Sequence, residues 1–213
     1  MSEILIACSM LEDEINLILQ QENLRYPVLW MERGLHAAPI QLRSRLEAAI
    51  RECEREYDTI LLGYCLCGGS LEGMMSTKAT LAAMNCYDCV NMLMNDEGID
   101  QHSLYFTAGW LRSEQFIGKE YDATLQKRGP EKTARIYRKI LKGYTHLRMM
   151  DTGAYDLQNW EKTAKETAQK LELSYDVKHA STEILRKLLT HCWDDSILVV
   201  PPGGTIGRNQ FLI

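Results

Sequence analysis

Apolar residues return along this chain in two rhythms. Some stand in short unbroken runs such as Ile4 to Ala7, and others recur at helical spacing over longer polar stretches. The short runs predict buried strands and the spaced ones amphipathic helices. Ile4 to Ala7 is read as a strand. Glu12, Asp13 and Glu14 then precede Ile15, Leu17, Ile18 and Leu19, the charge order expected where a helix begins. Val28 to Met31 is a second strand, ending at Gly34-Leu35-His36. Pro39 opens a long helix with Leu42, Leu46, Ala49 and Ile50 inward. Thr59 to Leu62 is a third strand running into Gly63-Tyr64-Cys65-Leu66-Cys67-Gly68-Gly69. Thr80 to Ala83 is a fourth candidate, ahead of Cys86-Tyr87-Asp88-Cys89 and an apolar helix through Val90, Leu93 and Met94.

The alternation continues. Leu104 to Thr107 is strand-like and ends at Ala108-Gly109-Trp110, Gly129-Pro130 starts a helix through Ile136, Tyr137 and Ile140, and Leu147 to Met150 is a strand closed by Asp151-Thr152-Gly153. A helix over about 158–171, a weak strand at 175–177, a helix from Ser181 through Leu185, Leu188 and Leu189, and a strand at 197–200 complete the series. Strand and helix in alternation imply an α/β fold, with parallel sheets covered by helices on both faces. A histidine loop (His36; His179), a Leu-rich helix and an Asp-led apolar strand ending in Gly-Gly recur in the same order. The expectation is two related Rossmann-like halves facing a cleft, residues 1–98 and 99–213, with the break near Gly98 to His102.

Composition narrows the functional classes. No window approaches the ~20 uninterrupted apolar residues of a membrane-spanning helix. Net charge is −5, and Arg43, Arg45, Arg51 and Arg55 alternate with Glu47, Glu52, Glu54 and Glu56 along one solvated face. That is no footprint for nucleic acid. The first residues run straight into a strand with no basic segment or cleavage site, so no export signal is read and a cytoplasmic protein is expected. Seven cysteines in that setting, an odd number, should be thiols.

Ligands of parallel α/β sheets bind beyond the carboxyl ends of the strands. Cys8 follows the first strand there, His36 the second, Cys67 the third and Cys89 the fourth. Four loops delivering three thiols and an imidazole to one edge would suit zinc, with iron or cobalt as softer options. Taken singly, each cysteine is equally a small buried hydrophobe. The pairs Cys65/Cys67 and Cys86/Cys89 also admit a four-cysteine site or a thioredoxin-like motif. Cys86 and Cys89 lack the turn glycines of a zinc knuckle, and the apolar setting disfavours the redox motif. Gly68-Gly69 and Gly203-Gly204 each follow a strand and could turn backbone N–H groups toward a cofactor's anionic group, although neither is a nucleotide fingerprint. Trp110 and Arg112 are candidates for a ligand wall. Asp151, Tyr155 and Glu14 read as surface caps, and Cys53 and Cys192 as packing within helices.

Taken together, Ile6-Ala7-Cys8, Leu35-His36 with Pro39, Gly63-Tyr64-Cys65-Leu66-Cys67-Gly68, Asp88-Cys89, Gly109-Trp110 and Val200-Pro201-Pro202-Gly203 resemble the pattern of domain of unknown function family 1638 over nearly the whole chain. The match falls on His36, Cys67, Asp88 and Cys89, and on Cys8. The chain departs from the pattern at Cys65, where Gly is expected, and at Met84, Asn85 and Tyr87, where Pro, Arg and His are commoner. Cys65 and Cys86 therefore read as local extras. The family's members resemble companions of corrinoid-dependent methyltransferase systems. The strand-end cluster predicts a metal-binding protein with Cys8, His36, Cys67 and Cys89 as ligands and Asp88 as the acid/base or supporting group, and the resemblance implies that it serves anaerobic one-carbon metabolism. Such a protein would activate a small-molecule thiol or bind a corrinoid. A non-catalytic module docking a corrinoid protein or methyltransferase is the alternative, and a thiol redox enzyme using Cys86 and Cys89 the third.

Overall fold

The computed structural model describes residues 2–95 and 98–211. Four strands, β1 (Glu3–Cys8), β2 (Val28–Met31), β3 (Thr59–Gly63) and β4 (Thr80–Met84), form a parallel sheet in the order β2-β1-β3-β4. All of β3 is buried, and so is the middle of β1. This is why both read as unbroken apolar runs: each of their faces meets a helix.

Alternation along the strands sorts the side chains between two cores. Ile4, Ile6, Ile60 and Leu62 face helix α2 (Pro39–Cys53) through Leu42, Leu46 and Ile50. Leu5, Ala7, Leu61 and Ala82 face the other way, against Ile15 and Ile18 of α1 (Glu12–Gln21) and Leu185, Leu188 and Leu189 of α8 (Glu183–Thr190). Helix α2 begins at Pro39 as expected, since proline fixes a helical φ where its missing N–H is not needed.

A second, three-stranded parallel sheet holds β5 (Ser103–Phe106), β6 (His146–Asp151) and β7 (Ser174–His179). One face carries Phe106, Leu147 and Met149 against α4 (Ala108–Arg112) and α7 (Gln158–Lys170). Tyr105 and Met150 join the core of Leu5 and Leu61, so the two sheets share an interior around α1 and α8.

Two features differ from the sequence expectation. The last strand, β8 (Ile197–Val200), is not in the second sheet: it pairs antiparallel with β4, Leu81 opposite Val200 and Met84 opposite Ile197. Residues on both sides of position 98 therefore build the first sheet. The other is helix α5 (Ile117–Arg128), which continues through Gly129 into α6 (Pro130–Ile140). Gly118 is its only buried residue, so no apolar stripe marks it in the sequence.

Candidate functional site

The carboxyl ends of β1, β3 and β4 open onto one edge, where most of the expected residues gather. Cys8 is the last residue of β1. The chain after β3 stays beside the chain after β4: Leu66 N–H donates to the Cys86 carbonyl at 2.9 Å and Cys67 N–H to the Tyr87 carbonyl at 3.1 Å. Cys67 then enters a 3₁₀ turn, Cys67–Gly69, with φ of +46°. The other described non-glycine residues with positive φ, Asn23, Glu172 and His191, stand at the ends of α1, α7 and α8, where such a conformation ordinarily stops a helix. Cys67 has no such reason. A left-handed conformation costs a residue with a Cβ about 1–2 kcal/mol, and strain of this kind concentrates at functional positions.

Asp88 accepts hydrogen bonds from the Asn91 backbone and side-chain N–H groups, both at 2.8 Å. It thereby caps the short helix α3 (Cys89–Leu93) and fixes Cys89 as that helix's first residue. Burial pushes the Cys67 thiol up to about 12, with Cys8 and Asp88 opposing its ionisation further. Cys89 is raised well above the usual thiol range, first by burial and then by Cys67, Cys8 and Asp88. Cys8 is raised by burial, partly offset by the Met10 backbone N–H, Tyr64 and Arg33. The Tyr64 hydroxyl is buried beside Cys8, and after burial itself Cys8 and Cys67 oppose its ionisation. Cys8, Cys67, Cys89, Tyr64 and Asp88 thus share one electrostatic neighbourhood.

Other expected members stand differently. His36 lies in the 3₁₀ turn Leu35–Ala37, its ring centroid 4.6 Å from that of Trp110. Burial lowers its pKa and the Asp88 charge pulls it back. Trp110 is thereby brought to the site, whereas Arg112 pairs with Asp13 and lies over Trp160. Among the described residues no group of three or more His, Cys, Asp or Glu side chains is placed to hold a metal ion. Gly68 has φ of +69°, and a Cβ there would come within 3.1 Å of Pro39 Cγ, so packing onto α2 accounts for that glycine. Gly69, with φ of +90°, completes the turn.

Gly203 and Gly204 are not brought to this edge. Because β8 runs antiparallel, the turn after it emerges at the opposite end of the sheet, where Gly203 N–H donates to the Ser76 carbonyl just before β4. Glu14 is no surface cap. It is 0% exposed, accepts a hydrogen bond from Thr152 at 3.0 Å on Oε1, has no partner on Oε2, and burial raises its carboxyl to about 7. Tyr155 is half-buried, its hydroxyl bonded to the Met150 carbonyl. Cys53 closes α2 as a buried residue, but Cys192 stands exposed beyond the end of α8.

A family model described as Protein of unknown function (DUF1638) matches residues 30–189. The chain belongs to this family. No curated protein and no solved structure matches it. The segment matched to DUF1638 contains His36, Cys67, Asp88, Cys89 and Trp110, while Cys8 and Gly203-Gly204 lie outside it. Two features of this DUF1638 chain escape sequence reasoning. Tyr64, between Gly63 and Cys65, reads simply as an aromatic at a strand end. Cys65 and Cys86 read as extras, yet both enter the same core, and the Cys86 carbonyl accepts from the Leu66 N–H next to Cys65. A cavity of about 750 Å³ lies next to them, lined by Cys86, Tyr87, Asp88, Asn91, Glu183 and Lys187 among others.

Proposed function

We propose that this protein binds a thiophilic divalent cation through Cys8, Cys67 and Cys89, with Asp88 and His36 beside the ligands. One observation carries the reading: three half-buried thiols from three separate chain segments lie close enough at one sheet edge for Cys8 to oppose the ionisation of Cys67, and both that of Cys89. A cation removes that opposition, because it binds the thiolate forms and displaces their protons. The left-handed backbone at Cys67 suits an edge shaped for a ligand. Three sulfur donors favour zinc or a softer metal over magnesium or calcium. Since no three side chains among the described residues now stand in ligating positions, the thiols must rotate toward the ion as it binds.

Bound there, a cation with one open position would lower the pKa of a substrate thiol. The protein's own part is to hold the thiols, to cap α3 through Asp88 and so fix Cys89, and to set His36 on Trp110. The cavity beside Asp88 is the ligand cleft of this reading, and methyl transfer between a corrinoid and a small thiol is the activity to assay in it.

The test is titration of reduced, oxygen-free protein with cobalt(II) and zinc against a competing chelator, following the cobalt–thiolate absorption band. One cation per chain is expected. Cys8→Ser, Cys67→Ser and Cys89→Ser should each weaken binding by about 100-fold or more, roughly 2.8 kcal/mol. Affinity should rise steeply with pH, because raised thiols must lose protons to bind. A folded, fully reduced wild type that takes up no cation would remove the proposal.

A further inference from the structure

The residues between β3 and the cavity carry a second arrangement of thiols. Strands β3 and β4 pair with Thr59 opposite Thr80 and Leu62 opposite Ala83. Past the strand ends the hydrogen bond from Leu66 N–H to the Cys86 carbonyl keeps that register, while the Cys67 N–H bond to the Tyr87 carbonyl belongs to the turn that follows. Carried along this register, Cys65 falls opposite Cys86, and both side chains enter the same core. Neighbouring strands lie about 4.8 Å apart, inside the roughly 4.4–6.8 Å Cα separation that a disulfide bridges. The two thiols differ in access. Cys65 is 1% exposed and lines no described cavity, whereas Cys86, 8% exposed, lines the 750 Å³ cavity.

We propose that Cys65 and Cys86 form a dithiol that reduces small-molecule disulfides entering this cavity, with Cys86 as the attacking and Cys65 as the resolving cysteine. Cys86 borders the cavity, whereas Cys65 sits behind it in the core. That difference in access sets the order of events, because an entering disulfide meets the Cys86 sulfur first. Cys86, having released its proton to solvent, attacks one sulfur of RS–SR. The Cys86–SR bond forms, the RS–SR bond breaks, and RS⁻ leaves to take up a proton from water. Cys65 then attacks the Cys86 sulfur, passes its proton to the second departing RS⁻, and closes the Cys65–Cys86 disulfide. Two electrons move from the dithiol to the substrate, which becomes two RSH. The cavity suits a polar disulfide: Asn91, Glu183 and Lys187 line it together with the backbone-bonded Asp88. This proposal does not depend on cation binding, because it uses neither Cys8, Cys67 nor Cys89.

Glutathione disulfide is the probe, added to reduced, folded protein that carries Cys192→Ser to remove the exposed thiol and is kept in chelator. Cysteines are then alkylated and mapped by mass spectrometry. The expected result is a Cys65–Cys86 disulfide with no glutathione retained and two equivalents of glutathione released per chain. Adding Cys65→Ser should stop the reaction halfway, with a stable glutathione adduct on Cys86. Adding Cys86→Ser should abolish both adduct and release. The map of the parent protein decides the matter even if either second variant fails to fold. A disulfide joining Cys86 to Cys89, glutathione retained on Cys86 while Cys65 alkylates freely, or an unreacted Cys86 would each overturn the proposal.

Discussion

The thiol edge of the first sheet and the junction where α1 meets the loop after β6 both bury acidic groups, but different chemistry keeps them there. At the edge the acids are thiols and a phenol, which burial holds neutral far above physiological pH. At the junction the acid is the Glu14 carboxyl, which starts much lower and is raised only to about 7. The same physical cause, loss of hydration by the charged form, thus leaves the stability of the cation-free thiol edge indifferent to pH near neutrality and makes the Glu14 junction responsive. Thiols wait for a cation or an oxidant. Glu14 answers to protons.

The sharpest way to break this contrast is at Glu14. Its folded pKa lies above that of an unfolded glutamate, about 4.3, so the folded state binds the extra proton. Stability should therefore be greatest below that value, fall as pH rises toward about 7, and then level off. The total loss is on the order of 4 kcal/mol, since each pH unit between the two pKa values is worth about 1.4 kcal/mol. Denaturant unfolding of Glu14→Gln should show this slope removed and greater stability than wild type above pH 7. A slope that survives the substitution would mean that another group titrates.

The second test strikes where the two regions touch. Gly109 in α4 packs so closely on the segment after Cys8 that a Cβ there would lie 2.1 Å from the Met10 carbonyl oxygen. That contact is backbone and cannot swing aside. Gly109→Ala should cost about 3 kcal/mol, the upper end of overpacking effects. It should also weaken cation uptake through displaced Cys8, measured by the cobalt–thiolate band. The smallest effect concerns Cys67. Glycine accepts its left-handed backbone without strain, so Cys67→Gly should leave thermal stability within about 1 kcal/mol of wild type while losing cation binding. Substantial unfolding would show that the thiol is there for packing.

Much of the first sheet was legible because its signals are local. Val28–Met31 and Pro39 mark β2 and α2 without help from the rest of the molecule, and the strand-end positions of Cys8, Cys67 and Cys89 follow from strands read correctly. What was not legible depends on pairing. Ile197–Val200 is an apolar run whichever way it points, so its antiparallel place beside β4, and with it the removal of Gly203-Gly204 from the site, was invisible. Glu14 looked like a helix-start acid because its burial comes from Thr152, 138 positions away. For Cys65 and Cys86 a signal existed: each stands equally far beyond the first residue of its strand, Thr59 and Thr80. Only knowing that the strands pair in parallel and in that register turns the equality into contact.

The antiparallel strand has a consequence for how the chain comes together. Asn85 and Asp195, 110 positions apart, are joined by a side-chain hydrogen bond at 2.8 Å beside the β4–β8 ladder. During synthesis β4 therefore presents a bare row of backbone donors and acceptors until the ribosome has delivered the whole second sheet. An unpaired row of that kind is a template for pairing with a neighbouring nascent chain. The closing strand acts as a late-arriving cover, and slow elongation between β4 and β8 should favour aggregation of this protein over its release in the folded state.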